Sequence, residues 1–454
     1  MSFGIPVGAT AVVGLGVSGQ AIIRHLAAQG CSLVALDGNP DSPGVTWVRT
    51  HYPDVPVWAG DLAVLDLTPA AEVVLSPGID PHQPVFEAVR ERVIGEIGIF
   101  ARHLPASMPV VAITGSNAKS TVTTLVGAMA EAAGHRPGIG GNLGVPALQL
   151  LDEGDHDLYV LELSSFQLET TPSLHTRVSA FLNLSEDHLN RHGDMVGYRA
   201  AKQRIFLDAQ HAVVNADDPA TWPDGEPAYE VILFGLDAPG EAEWGIISDA
   251  GGKLWLAHGV LMVMRLDELP LQGLHHYANA LAALAIGTAM GWPIDAMCSV
   301  LRSFKGLEHR AQIVGEFDGI RWIDDSKGTN VGASLAAIEG IGPTIDGQLI
   351  WLGGGIGKGA DFTPLAEPLA RYARAVILFG RDAALIEQAL DGVVPVHHAD
   401  TMVEAQELAL TLAEPGDVVL LSPACASQDQ FRNYNERGNI FRDKVIALDA
   451  RRHR

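Results

Sequence analysis

The sequence predicts an α/β protein of three domains, and three observations predict it. Short apolar, β-branched runs alternate with helix-length amphipathic segments along most of the chain. Glycine-bearing loops stand where such runs meet helices, first at residues 14–19 and again at 115–121. A length of 454 residues exceeds what one ordinary core organises, and 47% hydrophobic with 19% charged residues is a globular composition.

Residues 1–97 read as repeated βα units. Ala11, Val12 and Val13 lead into Gly14-Leu15-Gly16-Val17-Ser18-Gly19, followed by an amphipathic helix over 20–29. A second strand over 32–36 ends at Asp37, and a third over 72–75 runs into Ser76-Pro77-Gly78. Gly-x-Gly-x-x-Gly with an acid about 20 residues on is the dinucleotide-binding fingerprint. It predicts a parallel sheet with a phosphate-bearing ligand at its C-terminal edge. A tight turn without ligand, and an NAD-dependent dehydrogenase with an appended nucleotide domain, stay open at this point.

Residues 98–306 begin with a sharper signal. Val110-Val111-Ala112-Ile113-Thr114 enters Gly115-Ser116-Asn117-Ala118-Lys119-Ser120-Thr121, and a helix-like segment follows over 122–133. A strand, a tight loop and a helix N-terminus form a phosphate cradle: backbone N–H groups face the anion, Lys119 adds positive charge, and the Ser120 hydroxyl can reach Mg²⁺. The strict motif wants glycine where this chain has Ile113 and Ala118. Further strands are expected over 157–163, 177–184 and 211–215, antiparallel hairpins between 229 and 271, and an Ala-rich helix over 279–290. Residues 307–454 return to strands at 321–323, 349–352, 375–379 and 418–421. Each runs into a polar loop, where ligands sit in open α/β sheets. Active residues on such loops of at least two domains predict an interdomain cleft.

Two strand ends carry metal-type chemistry. Glu162 closes the apolar run of Leu161-Glu162-Leu163-Ser164-Ser165-Phe166-Gln167-Leu168, and His188 ends Leu182-Asn183-Leu184-Ser185-Glu186-Asp187-His188. A carboxylate and an imidazole beside bound nucleotide suit Mg²⁺-assisted phosphoryl transfer. The net charge of −24 argues against wrapping nucleic acid, so an anionic ligand must meet locally placed cations. Of seven lysines against 23 arginines, Lys119, Lys202, Lys327 and Lys358 fall inside the motifs. Cys31, Cys298 and Cys425 are far apart and are expected as buried free thiols in a reducing cytoplasm. Residues 1–16 lack the basic flank of a signal peptide, and no run reaches membrane-span length.

These motifs, with Tyr198-Arg199-Ala200-Ala201-Lys202, Asp324-Asp325-Ser326-Lys327-Gly328-Thr329-Asn330, Gly357-Lys358-Gly359-Ala360-Asp361-Phe362 and Ser422-Pro423-Ala424-Cys425-Ala426-Ser427, closely resemble the Mur ligase family over essentially the whole chain. The resemblance implies an N-terminal Rossmann-like domain (1–97) for a UDP-sugar, a central P-loop ATPase-type mixed sheet (98–306), and a C-terminal Rossmann-like domain (307–454) that closes over the site. It implies ATP-dependent addition of D-glutamate to UDP-N-acetylmuramoyl-L-alanine through an acyl phosphate, in peptidoglycan precursor synthesis. Another Mur or folylpolyglutamate-type ligase with a different amino acid is the alternative.

Residue by residue, the resemblance implies that Val17, Ser18, Asp37 and Gly78 hold the uridine diphosphate and that Asn142 meets the muramoyl group. Gly115, Ser116, Asn117, Ala118, Lys119, Ser120 and Thr121 cradle ATP, with Asn279, Arg310 and Asp325 at its base, phosphates and ribose. Lys119, Glu162, His188 and Lys202 are the implied catalytic set. Two Mg²⁺ ions are implied, with Ser120 and Glu162 on one, His188 on the other, and Lys202 contributing as a carbamate. Lys327, Thr329, Lys358, Ser427 and Tyr434 would hold glutamate. The chain is read as a monomer with no nucleic-acid partner. It departs from the family at Ala118, where glycine is usual, and at Gly38-Asn39, where some relatives carry an arginine that grips the nucleotide.

Overall fold

A computed structural model describes residues 3–271 and 273–452, arranged around three sheets. The first is fully parallel and runs Val57–Ala59, Leu33–Asp37, Thr10–Val13, Glu72–Leu75, Val93–Gly95. The chain builds outward from Thr10–Val13 on one side, then restarts on the other with Glu72–Leu75. The topological switch point therefore lies between the loops after these two strands, where open α/β sheets bind ligands. Alternation along Thr10–Val13 explains the burial: Ala11 and Val13 face one apolar cluster, and Val12 faces the other.

The second sheet has nine strands, in the order Leu261–Arg265, Leu254–His258, Trp244–Ser248, Glu230–Phe234, His211–Asn215, Val178–Phe181, Val110–Thr114, Leu158–Glu162, Pro137–Gly141. Its last six are parallel, and its first three form an antiparallel meander. Glu230–Phe234, expected in a hairpin, instead pairs parallel with His211–Asn215. The strands expected over 157–163 and 177–184 shorten to Leu158–Glu162 and Val178–Phe181, because the sheet ends where the polar loops begin.

The third sheet runs Gln312–Phe317, Ile320–Asp324, Val418–Leu421, Leu349–Gly354, Ala373–Phe379, Val396–His398, parallel except for the first pair. Leu349 and Trp351 enter one cluster and Ile350 and Leu352 the other, so both faces are covered, as parallel strands require.

By packing, the chain divides into two compact units: 1–184 with 196–268 and 278–303, and 185–195 with 269–277 and 304–454. The first two sheets thus share one unit. Several helices begin earlier than sequence periodicity suggests. The first covers Val17–Ala28, the phosphate-loop helix Lys119–Ala132, and the Ala-rich helix Leu274–Ala289. Their N-terminal turns carry polar residues, which the apolar pattern does not register. The thiols are free, and Cys298 and Cys425 are buried; Cys31 is exposed, correcting the expectation, because it lies in the turn just past the first helix. No helix among the described residues is long and apolar enough to cross a membrane.

Candidate functional site

In the first unit, three adjacent parallel strands end together. Val110–Thr114 runs into the phosphate loop, Leu158–Glu162 ends on its carboxylate, and Val178–Phe181 leads to Asn183. The loop is pinned from one side. Ser116 N–H donates to the Asn183 carbonyl (2.9 Å), Asn117 N–H donates to Asn183 Oδ1 (2.8 Å), and Asn183 Nδ2 returns a bond to the Asn117 carbonyl (3.2 Å). Ala118 sits in the left-handed region at φ 63° as the N-cap of the helix that begins at Lys119, and its methyl cannot cap that helix. The N-terminus of a 14-residue helix, with a lysine in its first turn, is what an anion needs.

Two lysines converge on this loop. Lys119 Nζ donates to the carbonyls of Gly115 and Ser116, both at 2.8 Å, and Lys202 Nζ donates to the Gly115 carbonyl at 2.7 Å. Lys202 is 1% exposed, and its ammonium lies 4.7 Å above the Tyr198 ring. Its arginine neighbours turn elsewhere: Arg199 to the carbonyls of Ala220 and Trp222, Arg204 to those of Leu168 and Thr171.

Glu162 supplies the test for a divalent cation. It is buried, Oε1 accepts from Asn142 Nδ2 at 2.6 Å, and Oε2 has no hydrogen-bond partner. A buried carboxylate oxygen left open beside a phosphate cradle fits Mg²⁺, which takes one or two protein carboxylates together with substrate phosphates and water. Ser120 and Thr121 are buried in the adjoining first turn. Among the described residues no three His, Cys, Asp or Glu side chains form a preassembled metal cage.

The N-terminal loop is held equally firmly. Asp37 is buried and turned onto backbone, accepting from Leu15 N–H (Oδ2, 2.9 Å) and Asn39 N–H (Oδ1, 2.9 Å). The Ser76 hydroxyl donates to the Gly14 carbonyl at 2.6 Å, tying together the two loops of the switch point. Val17 is 67% exposed and Gly78 is exposed, so both are available at the rim.

The second unit gathers most of the remaining predicted residues. Register aligns Asp324 with Leu421, which sets Asp325 beside Ser422, whose hydroxyl donates to Asp325 Oδ2 at 2.7 Å. Burial pushes the Asp325 carboxyl up to about 7, against the Ser422 hydroxyl and Ala311 N–H that favour its charge. Lys327 Nζ lies 3.9 Å over the Tyr434 ring. Thr329 and Lys358 line one cleft with His188, and Lys358 Nζ pairs with Asp187 Oδ1 at 2.6 Å. Burial raises the Asp187 carboxyl, but Lys358 and His188 outweigh it and hold it below its ordinary range. The Ser427 hydroxyl is buried without a partner. Arg310 is half-buried beside Asp325 and favours its charged form. His188, at φ 55°, belongs to this unit, whereas Glu162, Ser120 and Lys202 belong to the first. Asn279 is half-buried on Leu274–Ala289 and belongs to the first unit as well.

Sequence reading passed over three residues. Asn183 and Asp187 stood in a quoted motif without a role, since only pairing geometry shows what they hold. Arg437 is fully buried in the helix Tyr434–Arg452 and donates to Ser326 Oγ, the Ser326 carbonyl and the Cys425 carbonyl (2.9, 2.7 and 3.2 Å). It clamps the Asp325–Lys327 loop to the Cys425–Ser427 loop, and nothing in its local sequence signals that.

Fold and site together define a multidomain α/β enzyme of nucleotide-driven phosphoryl chemistry. Family models match across the chain: "Mur ligase MurD-like, N-terminal domain" at 8–98, "Mur ligase middle domain" at 113–287 and "Mur ligase, glutamate ligase domain" at 309–425. The chain belongs to the Mur ligase family. It is 55% identical over 453 residues to a UDP-N-acetylmuramoylalanine–D-glutamate ligase of Chromohalobacter salexigens, covering 98% of each chain. It is 50% identical over 440 residues to the enzyme of that name from Pseudomonas aeruginosa, covering 96% of this chain and 97% of that one. Among solved structures, MurC of Thermotoga maritima aligns with a TM-score of 0.61 at 17% identity, over 97% of this chain and 99% of that one, a likeness of fold.

Proposed function

We propose that this chain forms the amide between UDP-N-acetylmuramoyl-L-alanine and D-glutamate, with ADP and phosphate as the other products, in cytoplasmic peptidoglycan precursor synthesis. The observation that carries the reading is the conjunction in one loop region of a helix N-terminus, two converging lysines and the open Oε2 of buried Glu162. The family match and full-length identity to D-glutamate ligases favour it over a relative with another amino acid. They also displace the dehydrogenase reading of the N-terminal fingerprint.

Residues 1–97 would bind the UDP-sugar, 98–306 ATP, and 307–454 glutamate. The muramoyl-alanine carboxylate attacks the γ-phosphorus in line, ADP departs, and an acyl phosphate forms. Helix N–H groups and Lys119 offset the charge gathering on the transferred oxygens. The glutamate amine then attacks the acyl carbon, phosphate leaves with the bonding pair, and the amine proton is lost. Lys327, Lys358 and the unpartnered Ser427 hydroxyl suit a dicarboxylic amino acid. Ser120 and Glu162 would hold one Mg²⁺ and His188 a second, a carbamylated Lys202 would add oxygen ligands, and the cations would neutralise phosphate charge. The carbamate has a physical motive. Two ammonium groups share the Gly115 carbonyl, and like charges at such range repel. Loss of the Lys202 ammonium proton and addition of CO₂ to the neutral amine release two protons in all and turn the cation into a carbamate anion.

Phosphate release measured with ATP, the UDP-sugar and D-glutamate, each omitted in turn, tests the reaction. Hydroxylamine should trap a hydroxamate with ATP and the UDP-sugar alone. Hydride transfer to NAD without ADP formation would overturn the proposal.

A further inference from the structure

Glu96 opens the helix Glu96–His103 and is 1% exposed. Its Oε1 accepts from Leu148 N–H at 3.1 Å, at the start of the helix Ala147–Glu153. Its Oε2 is buried and completes no hydrogen bond, although the Ser18 hydroxyl and Ala147 N–H lie near enough to favour the charged carboxylate. One buried carboxyl thus touches two structures. Ser18 lies in the first turn of the helix Val17–Ala28, inside the Gly14–Gly19 motif, and Ala147–Glu153 follows the segment whose Asn142 holds Glu162. Nothing in the reaction as written uses it.

We propose that Glu96 is a positioning residue for the uridine-diphosphate end of the substrate, and that it takes up one proton from solvent when the diphosphate docks on the glycine loop at Val17 and Ser18, where the helix begins. The inference rests on the reading that this loop holds the diphosphate. Once Ser18 turns its O–H to a phosphate oxygen, an ionised Glu96 loses its hydroxyl donor, keeps only the N–H groups of Leu148 and Ala147, and faces added negative charge, both changes unfavourable to a buried carboxylate. Protonated, Oε2–H donates to Ser18 Oγ, and Ser18 remains aimed at the ligand. Burial already pushes the Glu96 carboxyl up to about 7, so a modest further push suffices near neutrality.

The other titratable groups on the elements packed around Glu96 turn to other partners, with Arg24 lying 5.7 Å over the Trp47 ring. His25 bridges Asp152 (2.6 Å) and His103 (2.7 Å), Arg102 pairs with Glu72, Glu169 faces His82, and Glu153 accepts from Gln149. None of them contributes to the Glu96 carboxyl, whose environment is set by burial and its hydrogen-bond donors.

The test is calorimetric binding of UDP-N-acetylmuramoyl-L-alanine to the full chain in buffers of different ionisation enthalpy. Its diphosphate is esterified at both ends and does not itself titrate near neutrality. The wild type should show net proton uptake of up to one per site, with affinity falling by as much as tenfold per pH unit above the Glu96 titration. Glu96→Gln, which keeps a donor in place of the carboxyl proton, should bind with no uptake and with affinity independent of pH. Infrared difference spectra of the wild type should gain a protonated-carboxyl stretch on binding, so the result survives a variant that folds poorly. Equal uptake in wild type and Glu96→Gln, or no uptake and no new stretch in the wild type, overturns the role of Glu96. Absence of binding by folded wild type overturns instead the assignment of the loop.

Discussion

Ala118 holds φ at 63°, a region where a Cβ costs roughly 1 kcal/mol and where glycine is at ease. Glycine would also enlarge the unfolded ensemble, which returns part of that gain. Ala118→Gly should therefore be stable to within about 1 kcal/mol of the parent and should keep or improve ATP affinity, as thermal melts and nucleotide titration would show. A large activity loss with the fold intact would mean that the methyl is used. Lys202 makes the sharper prediction. Arginine cannot form a carbamate, so Lys202→Arg and Lys202→Ala should nearly abolish ligation while UDP-sugar binding persists. Small added carboxylates should restore part of the activity of the alanine variant. Near-normal turnover in Lys202→Arg would end the carbamate proposal. The lysine itself was legible from its place among arginines. Its contact with the Gly115 carbonyl was not, because that pairing spans 87 residues.

At the scale of the element, the glycine loop of the first sheet separates fold from function within three positions. Gly14 needs its positive φ of 85°, and a Cβ on Gly19 would stand 1.9 Å from the Gly14 carbonyl oxygen. A Cβ on Gly16 meets nothing. Gly19→Ala should pry the helix Val17–Ala28 off its strand and lower the melting temperature by several degrees at least, an effect of roughly 2 kcal/mol or more. Gly16→Ala should melt normally yet weaken UDP-sugar binding, because the open side of Gly16 is where a diphosphate would approach. If both variants melt alike and bind alike, the division is wrong. The motif was visible as a pattern, but which glycine serves packing depends on how closely helix and strand approach.

Over the whole molecule, the pH dependence of stability has a definite sign. Asp325 and Glu96, one in each unit, have carboxyls raised by burial to about 7 from ordinary values of 3.8 and 4.5. The folded state then binds more protons than the unfolded state between about pH 4 and 7, so stability falls as pH rises through that window. A shift of about three units bounds the Asp325 effect at about 4 kcal/mol. Asp187 and Asp417 lie below their ordinary range and act oppositely, losing stability in acid. Calorimetric melts should therefore be highest in mildly acidic buffer and decline toward about pH 8, with the decline shallower in Asp325→Asn. A profile unchanged by that substitution would show that Asp325 does not titrate in this range.

Sequence alone determined the α/β class, displayed the two glycine-bearing loops and pointed to nearly every polar group proposed for the site. These are local matters: alternation of apolar residues marks strands, and a loop motif lies within a few consecutive residues. Tertiary structure decided the rest. It placed Glu230–Phe234 parallel in the central sheet, turned the Asp37 carboxylate onto Leu15 and Asn39 backbone, and left Glu162 Oε2 and Ser427 Oγ buried without partners. It also set His188 in the second unit with Asp187 and Lys358. Each of these depends on which distant strands become neighbours and on what burial then does to a polar atom, and no window of sequence contains that information.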